Sequence, residues 1–184
     1  MIINIFLLLL SYLLGSIPFA YLIVRMQGGN IFAVGTKNPG ASNTFREIGK
    51  IYGTAVFLLD AVKVVASILI AQSFNDSQWF LVFCGLSCML GHWYPIFLKF
   101  RGGMGLACAI GIAIALMPIQ AVISSIPTLI VLWLIRSVGH AVAVGFSVFF
   151  SICLYLEYDW MYTLAITLIP ILALVRERIL PSVR

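Results

Sequence analysis

Asp60 and Lys63 stand three residues apart within a run that is otherwise apolar from about residue 51 to 72. At that spacing two side chains share one helical face and reach each other. Ionisable groups inside an apolar span are costly, so the pair predicts either a functional site or a self-compensating structural pair. Two polar stretches flank it in sequence. The first, GGNIFAVGTKNPGASNTFREIGKIYG from residue 28, offers Gly35 and Gly40 for close backbone approach and Thr36, Asn38, Ser42 and Asn43 as hydrogen-bonding side chains. Lys37 and Arg46 add positive charge, and the set could form an anion-binding concavity or a turn-rich connector. The second, GHWYPIFLKFRGGMG at 91–105, places Lys99 and Arg101 before Gly102, Gly103 and Gly105. A glycine-rich entry into a helix exposes unpaired N–H groups and the positive end of the helix dipole, which suits phosphate. His92 lies about two turns earlier and could exchange a proton or hydrogen bond with a substrate. Cys84, Cys88 and His92 share a face, but with no carboxylate or second histidine beside them they predict packed thiols, not a metal site. The chain has neither a Ser–His–Asp arrangement nor a paired-carboxylate site.

The elements that must position these residues are set by composition. Of 184 residues, 62% are hydrophobic and 9% charged, so lipid must solvate much of the surface. The apolar runs predict seven spans, at about 2–24, 51–72, 79–98, 104–117, 119–135, 141–156 and 160–175. The fourth is short and predicts a tilted, incomplete or protein-packed helix, which leaves six spans as the rival count. No polar domain remains once these are removed, so residues 1–184 read as a single polytopic membrane domain. The first run has no basic segment before it and reads as a retained span rather than a cleaved signal.

Charge sets the expected orientation. With the N-terminus outside and seven crossings, ten of eleven Lys and Arg residues fall in cytoplasmic loops, and Asp76, Glu157 and Asp159 fall outside. This is the positive-inside pattern, and it puts the C-terminus in the cytoplasm. The net charge of +5 therefore reads as topology and attraction to anionic lipid, not nucleic-acid binding. His140 beside Arg136 reads as an interfacial pair between the fifth and sixth spans.

Four motifs in register resemble one family. They are Gly15-Ser-Ile-Pro-Phe-Ala20, GTKNPGASNTFR at 35–46, Asp60-x-x-Lys63 and GHWYPIFLKFRGGMGLAC at 91–108. Together they resemble the bacterial acyl-phosphate-dependent glycerol-3-phosphate acyltransferases of the PlsY type. The resemblance implies an all-α seven-span bundle in the bacterial inner membrane, with its active site facing the cytoplasm. It implies transfer of a fatty acyl group from acyl phosphate to glycerol 3-phosphate, giving lysophosphatidic acid and phosphate. The expected partners are those two substrates and membrane lipid, without a cofactor, metal, nucleic acid or obligate protein partner. Carried over by position, Thr36, Arg46, His92 and Lys63 are expected to be catalytic. Lys37, Asn38, Gly40, Asn43, Asp60, Lys99, Arg101, Gly102 and Gly103 are expected to bind substrate.

The chain departs from the family pattern at four places. Thr36 replaces a serine, Lys37 a glycine, and Met104 the lysine of GGKG, while the tail RERILPSVR lacks the family's histidine and asparagine. Each lost cationic or polar group would weaken transition-state stabilisation. The departures therefore fit a second expectation, a divergent homologue that binds phosphorylated lipid or acyl phosphate but turns it over poorly. Intramembrane Asp60 and Lys63 also suit a small transporter, against which stands the lack of an internal repeat.

Overall fold

The structure is a computed structural model that describes residues 1–179; the expected cytoplasmic C-terminal end, including residues 180–184 of the tail, lies outside them. The described residues form nine α-helices and no strand. They are α1 (Ile2–Gly15), α2 (Phe19–Met26), α3 (Ala41–Glu47), α4 (Lys50–Gln72), α5 (Gln78–Trp93), α6 (Leu106–Leu116), α7 (Pro118–Ile135), α8 (Val138–Tyr155) and α9 (Trp160–Ile179). Five segments are long and apolar enough to cross a membrane: Ile2–Met26, Lys50–Gln72, Gln78–Leu98, Pro118–Ile135 and Val138–Tyr155. Leu106–Leu116 and Trp160–Arg176 are shorter apolar helices.

The first apolar run is not the continuous helix expected from hydropathy. Pro18 has no N–H to give and its ring excludes an α-helical continuation, so α1 stops at Gly15 and α2 starts at Phe19. The polar segment expected over 25–50 also contains the end of α2, a 3₁₀ turn at Ile31–Ala33, and α3. Between α7 and α8 the break shrinks to Arg136 and Ser137. His140 belongs to α8, and its Nδ1 meets the Ser137 hydroxyl at 2.8 Å.

α1, α4, α5 and α6 pack with their backbones close together. A Cβ on Gly91 would fall against the carbonyl of Tyr12, and one on Gly111 would sit 2.7 Å from the carbonyl of Ala61. Small residues permit such approach, which membrane helices need because lipid supplies no hydrophobic drive for association. Val64, Ile68, Cys84, Cys88, Met89, Cys108 and Ile112 fill the centre, with Ile169 and Ala173 of α9 closing it. Polar ties cross α1 and α5, from the Ser87 hydroxyl to the Leu8 carbonyl at 2.8 Å and from the Tyr12 hydroxyl to the Tyr94 carbonyl at 2.7 Å. α7 lies outermost and buries Gln120 and Ser124. Ile119, Val122, Ile126, Leu129 and Trp133 are exposed along it, a face suited to lipid.

Candidate active site

α4 carries Asp60 and Lys63 to the level of the α1–α2 break. Lys63 is thirteen residues into α4, roughly 20 Å from the helix start at 1.5 Å per residue. The pair is therefore recessed from the loops, not moved outward by an earlier helix start. An ammonium has three donors, and acceptors stand at hydrogen-bonding distance for each: Asp60 Oδ1 at 2.6 Å, the Ile17 carbonyl at 3.1 Å and His92 Nδ1 at 3.0 Å. The Ile17 carbonyl lies in the break just past the end of α1, where it has no helical partner, so the ammonium meets the first helix at its negative end. Phe19 of α2 lies beyond, with its ring centroid 5.6 Å from Lys63 Nζ. Asp60, Lys63 and His92 are all buried.

These bonds fix the imidazole. An ammonium only donates, so where Lys63 is charged and donates to Nδ1 of His92, 3.0 Å away, the ring proton is assigned to Nε2. Asp60 Oδ1 lies 3.5 Å from Nδ1, too far for a strong competing bond. Nε2 faces the glycine loop: a Cβ on Gly103 would lie 2.6 Å from Nε2 and 3.0 Å from the Pro39 carbonyl.

The two polar stretches meet above this cluster. α5 ends at Trp93, and Tyr94 is turned out of the α region as a residue before proline must be. The chain then makes a 3₁₀ turn at Ile96–Leu98 and passes through left-handed Lys99 and Phe100. Gly105, also left-handed with φ +93°, starts α6. The Gly103 N–H donates to the His92 carbonyl at 3.2 Å, and the Trp93 indole N–H to the Met104 carbonyl at 2.7 Å. The resulting cavity is small, about 10 Å³, room for roughly one water molecule. Ile17, Pro18 and Phe19 border it on one side and Pro39 on another, and Asp60, His92, Gly102 and Gly103 are among the residues that line the rest.

Residues 5–179 match the model of the glycerol-3-phosphate acyltransferase family. The chain belongs to that family. The glycerol-3-phosphate acyltransferase of Aquifex aeolicus is 45% identical over 130 residues, which cover 70% of this chain and 68% of that protein. Glycerol-3-phosphate acyltransferase 5 of Dehalococcoides mccartyi is 37% identical over 136 residues, 73% of this chain and 58% of that one. The fold also matches the crystal structure of PlsY (YgiH), an integral membrane glycerol 3-phosphate acyltransferase, in its glycerol 3-phosphate form. That match has a TM-score of 0.81 at 37% identity and covers 95% of this chain and 88% of the other. The lysophosphatidic acid form gives 0.79 at 36% identity over the same shares.

In this acyltransferase-family chain, Asp60, Lys63, His92, Gly102 and Gly103 come together as one unit, reached by the first loop through Pro39. Asn43 works within its own loop. Its amide accepts from the Thr36 N–H at 3.0 Å and donates to the Val34 carbonyl at 3.1 Å, which folds residues 34–36 back onto α3. Asn43→Ala should unfasten this segment and cost about 1–3 kcal/mol through unsatisfied partners, read by thermal unfolding in detergent. Gly40 caps α3, and Asn38 is buried beside it. Thr36, Lys37 and Arg46 are exposed. Lys99 and Arg101 lie apart from the cavity and line an open groove with Tyr21, Phe32 and Phe97.

Residues not singled out beforehand complete the arrangement. Ile17 contributes a carbonyl that the Gly15–Ala20 motif contained but whose role only the helix break creates. Trp93 ties Met104, and Arg176 of α9 reaches the glycine loop across 73 residues of sequence. Neither has a spacing signal, because each acts through a distant backbone carbonyl.

Proposed function

We propose that this chain transfers a fatty acyl group from acyl phosphate to glycerol 3-phosphate. A glycerol hydroxyl oxygen bonds to the acyl carbonyl carbon, the carbon–oxygen bond to phosphate breaks, and the products are lysophosphatidic acid and inorganic phosphate. The hydroxyl proton leaves with a substrate phosphate. Acyl phosphate is already activated, so no covalent enzyme nucleophile is needed, which agrees with the lack of a triad. Catalysis is then positioning and electrostatic stabilisation.

The observation that carries this reading is the cavity itself. His92 Nε2, the glycine loop and Pro39 of the first loop converge there, so an anionic oxygen entering the cavity would meet the His92 ring beside a glycine wall. His92 donates to substrate or to the developing oxyanion. Lys63 spends its donors inside the protein, so it acts through His92, with Asp60 as its counter-ion. Gly102 lets the loop lie against the His92 and Trp93 carbonyls, and Gly103 leaves room beside His92 Nε2. The exposed cations Lys37 and Arg46 of the first loop, with Lys99 and Arg101 of the neighbouring groove, attract the anionic substrates, while Thr36, Asn38, Gly40 and Asn43 shape the loop that carries Pro39 to the cavity.

The basic loops argue for an N-terminus outside, seven crossings and a cytoplasmic site in a bacterial inner membrane, with residues 1–184 as one polytopic domain. Purified protein in lipid, given acyl phosphate and glycerol 3-phosphate, should form lysophosphatidate. No product beside an active family member would overturn the assignment.

Met104 replaces a cation at the mouth of the α6 helix, so the parent should be a weakened enzyme. Met104→Lys should raise kcat/KM by about tenfold, the worth of one charge-assisted bond. If turnover and acyl-phosphate affinity stay unchanged, Met104 does not limit this protein.

A further inference from the structure

The glycine loop has almost no side chains with which to hold its own shape. Gly102, Gly103 and Gly105 surround Met104, so order must come from bonds to the loop's backbone. Two of its carbonyls are taken from outside. The Met104 carbonyl accepts from the Trp93 indole, and the Gly103 carbonyl accepts from Arg176 Nη1 at 2.9 Å. Arg176 Nη2 also lies 3.3 Å from the Trp93 carbonyl at the end of α5. One planar guanidinium thus spans the end of α5 and the start of α6, a geometry that its fork provides and an ammonium does not. It lies over the rings of Trp93 and Tyr94, 5.7 and 5.1 Å from their centroids.

From this we infer that Arg176 is a positioning residue for phosphate binding, fastening the last helix to the glycine loop. The inference rests on the reading of that loop as a phosphate site. Binding the Gly103 carbonyl turns a negative dipole toward the guanidinium and away from the cavity. The N–H groups at the α6 entry, which have no intrahelical acceptors, then stay available to an anion. Without Arg176 the loop keeps the Trp93 bond to the Met104 carbonyl and loses its second outside anchor. The Gly103 carbonyl is then free to rotate toward the substrate phosphate and repel it.

Arg176→Gln and Arg176→Lys, purified in lipid beside the parent, test this. Arg176→Gln should raise the KM for one of the two phosphate substrates about tenfold, with kcat and melting temperature little changed. Arg176→Lys, which keeps the charge and one bond, should recover part of that loss. Amide exchange across residues 101–107 should quicken about tenfold in Arg176→Gln while α4 amides stay protected. Unchanged KM values, or a loss of kcat that only follows a fall in melting temperature, would refute the positioning role. Unchanged exchange would refute the anchor itself, even in a protein that forms no lysophosphatidate. An inactive parent whose loop still loosens in Arg176→Gln would instead reject the acyltransferase reading and leave the anchor standing.

Discussion

Asp60→Asn is expected to cost about 3–5 kcal/mol of stability and to lower acyl transfer by about 100-fold or more. The reason is the company that Lys63 keeps. Its ammonium lies 2.6 Å from Asp60 Oδ1 with both side chains about 3% exposed, so an amide at position 60 leaves a buried cation without a counter-charge. The same change frees Lys63 to move, and His92 loses the donor that fixes its tautomer. Thermal unfolding and initial rates measured on the same preparation read the two effects. The double variant Asp60→Leu with Lys63→Met separates them. Apolar residues of similar volume should recover most of the stability, because the desolvation penalty of both charges disappears. Activity should stay low, because His92 is still unheld. Recovery of full activity in the double variant would show that the charged pair serves folding alone.

Gly103→Ala should lower kcat/KM by about 100-fold, equivalent to about 2.7 kcal/mol of transition-state stabilisation. A single methyl there would stand 2.6 Å from His92 Nε2 and 3.0 Å from the Pro39 carbonyl. It therefore intrudes where the imidazole proton, the first loop and the glycine loop converge. Either the ring turns away from Lys63, or Pro39 and its loop retreat, and each outcome spoils substrate placement. Gly139→Ala is the matching control, because its added methyl meets nothing within 4 Å. Its rates should equal the parent's. If Gly103→Ala also matches the parent in rate and in both KM values, the cavity between these loops is not where acyl transfer occurs.

How these residues act was only partly legible in the linear chain. The i,i+3 spacing of Asp60 and Lys63 announces their contact, because helical geometry alone brings them together. The clustering of glycine and cation over 99–105 likewise announces an irregular entry into α6, since glycine's backbone freedom is local, but not that Lys99 and Arg101 turn to a separate groove. Asn43 is harder. Its type suggests hydrogen bonding, but its hold on Thr36 and Val34 depends on how the loop folds back onto α3.

The sequence by itself determined that this is a membrane protein of apolar helices with two phosphate-suited stretches, because hydropathy, helical spacing and charge are properties of short segments. Its motifs also carried the family resemblance. Tertiary structure alone decided that the first apolar run splits at Pro18 and that the Ile17 carbonyl in the break becomes an acceptor for Lys63. It decided as well that His92 joins that ammonium to the glycine loop, and that Arg176 anchors the same loop from 73 residues away. Such bonds run to backbone carbonyls, which every residue possesses. Only the packing of α1, α4, α5, α6 and α9 selects which carbonyl meets which cation.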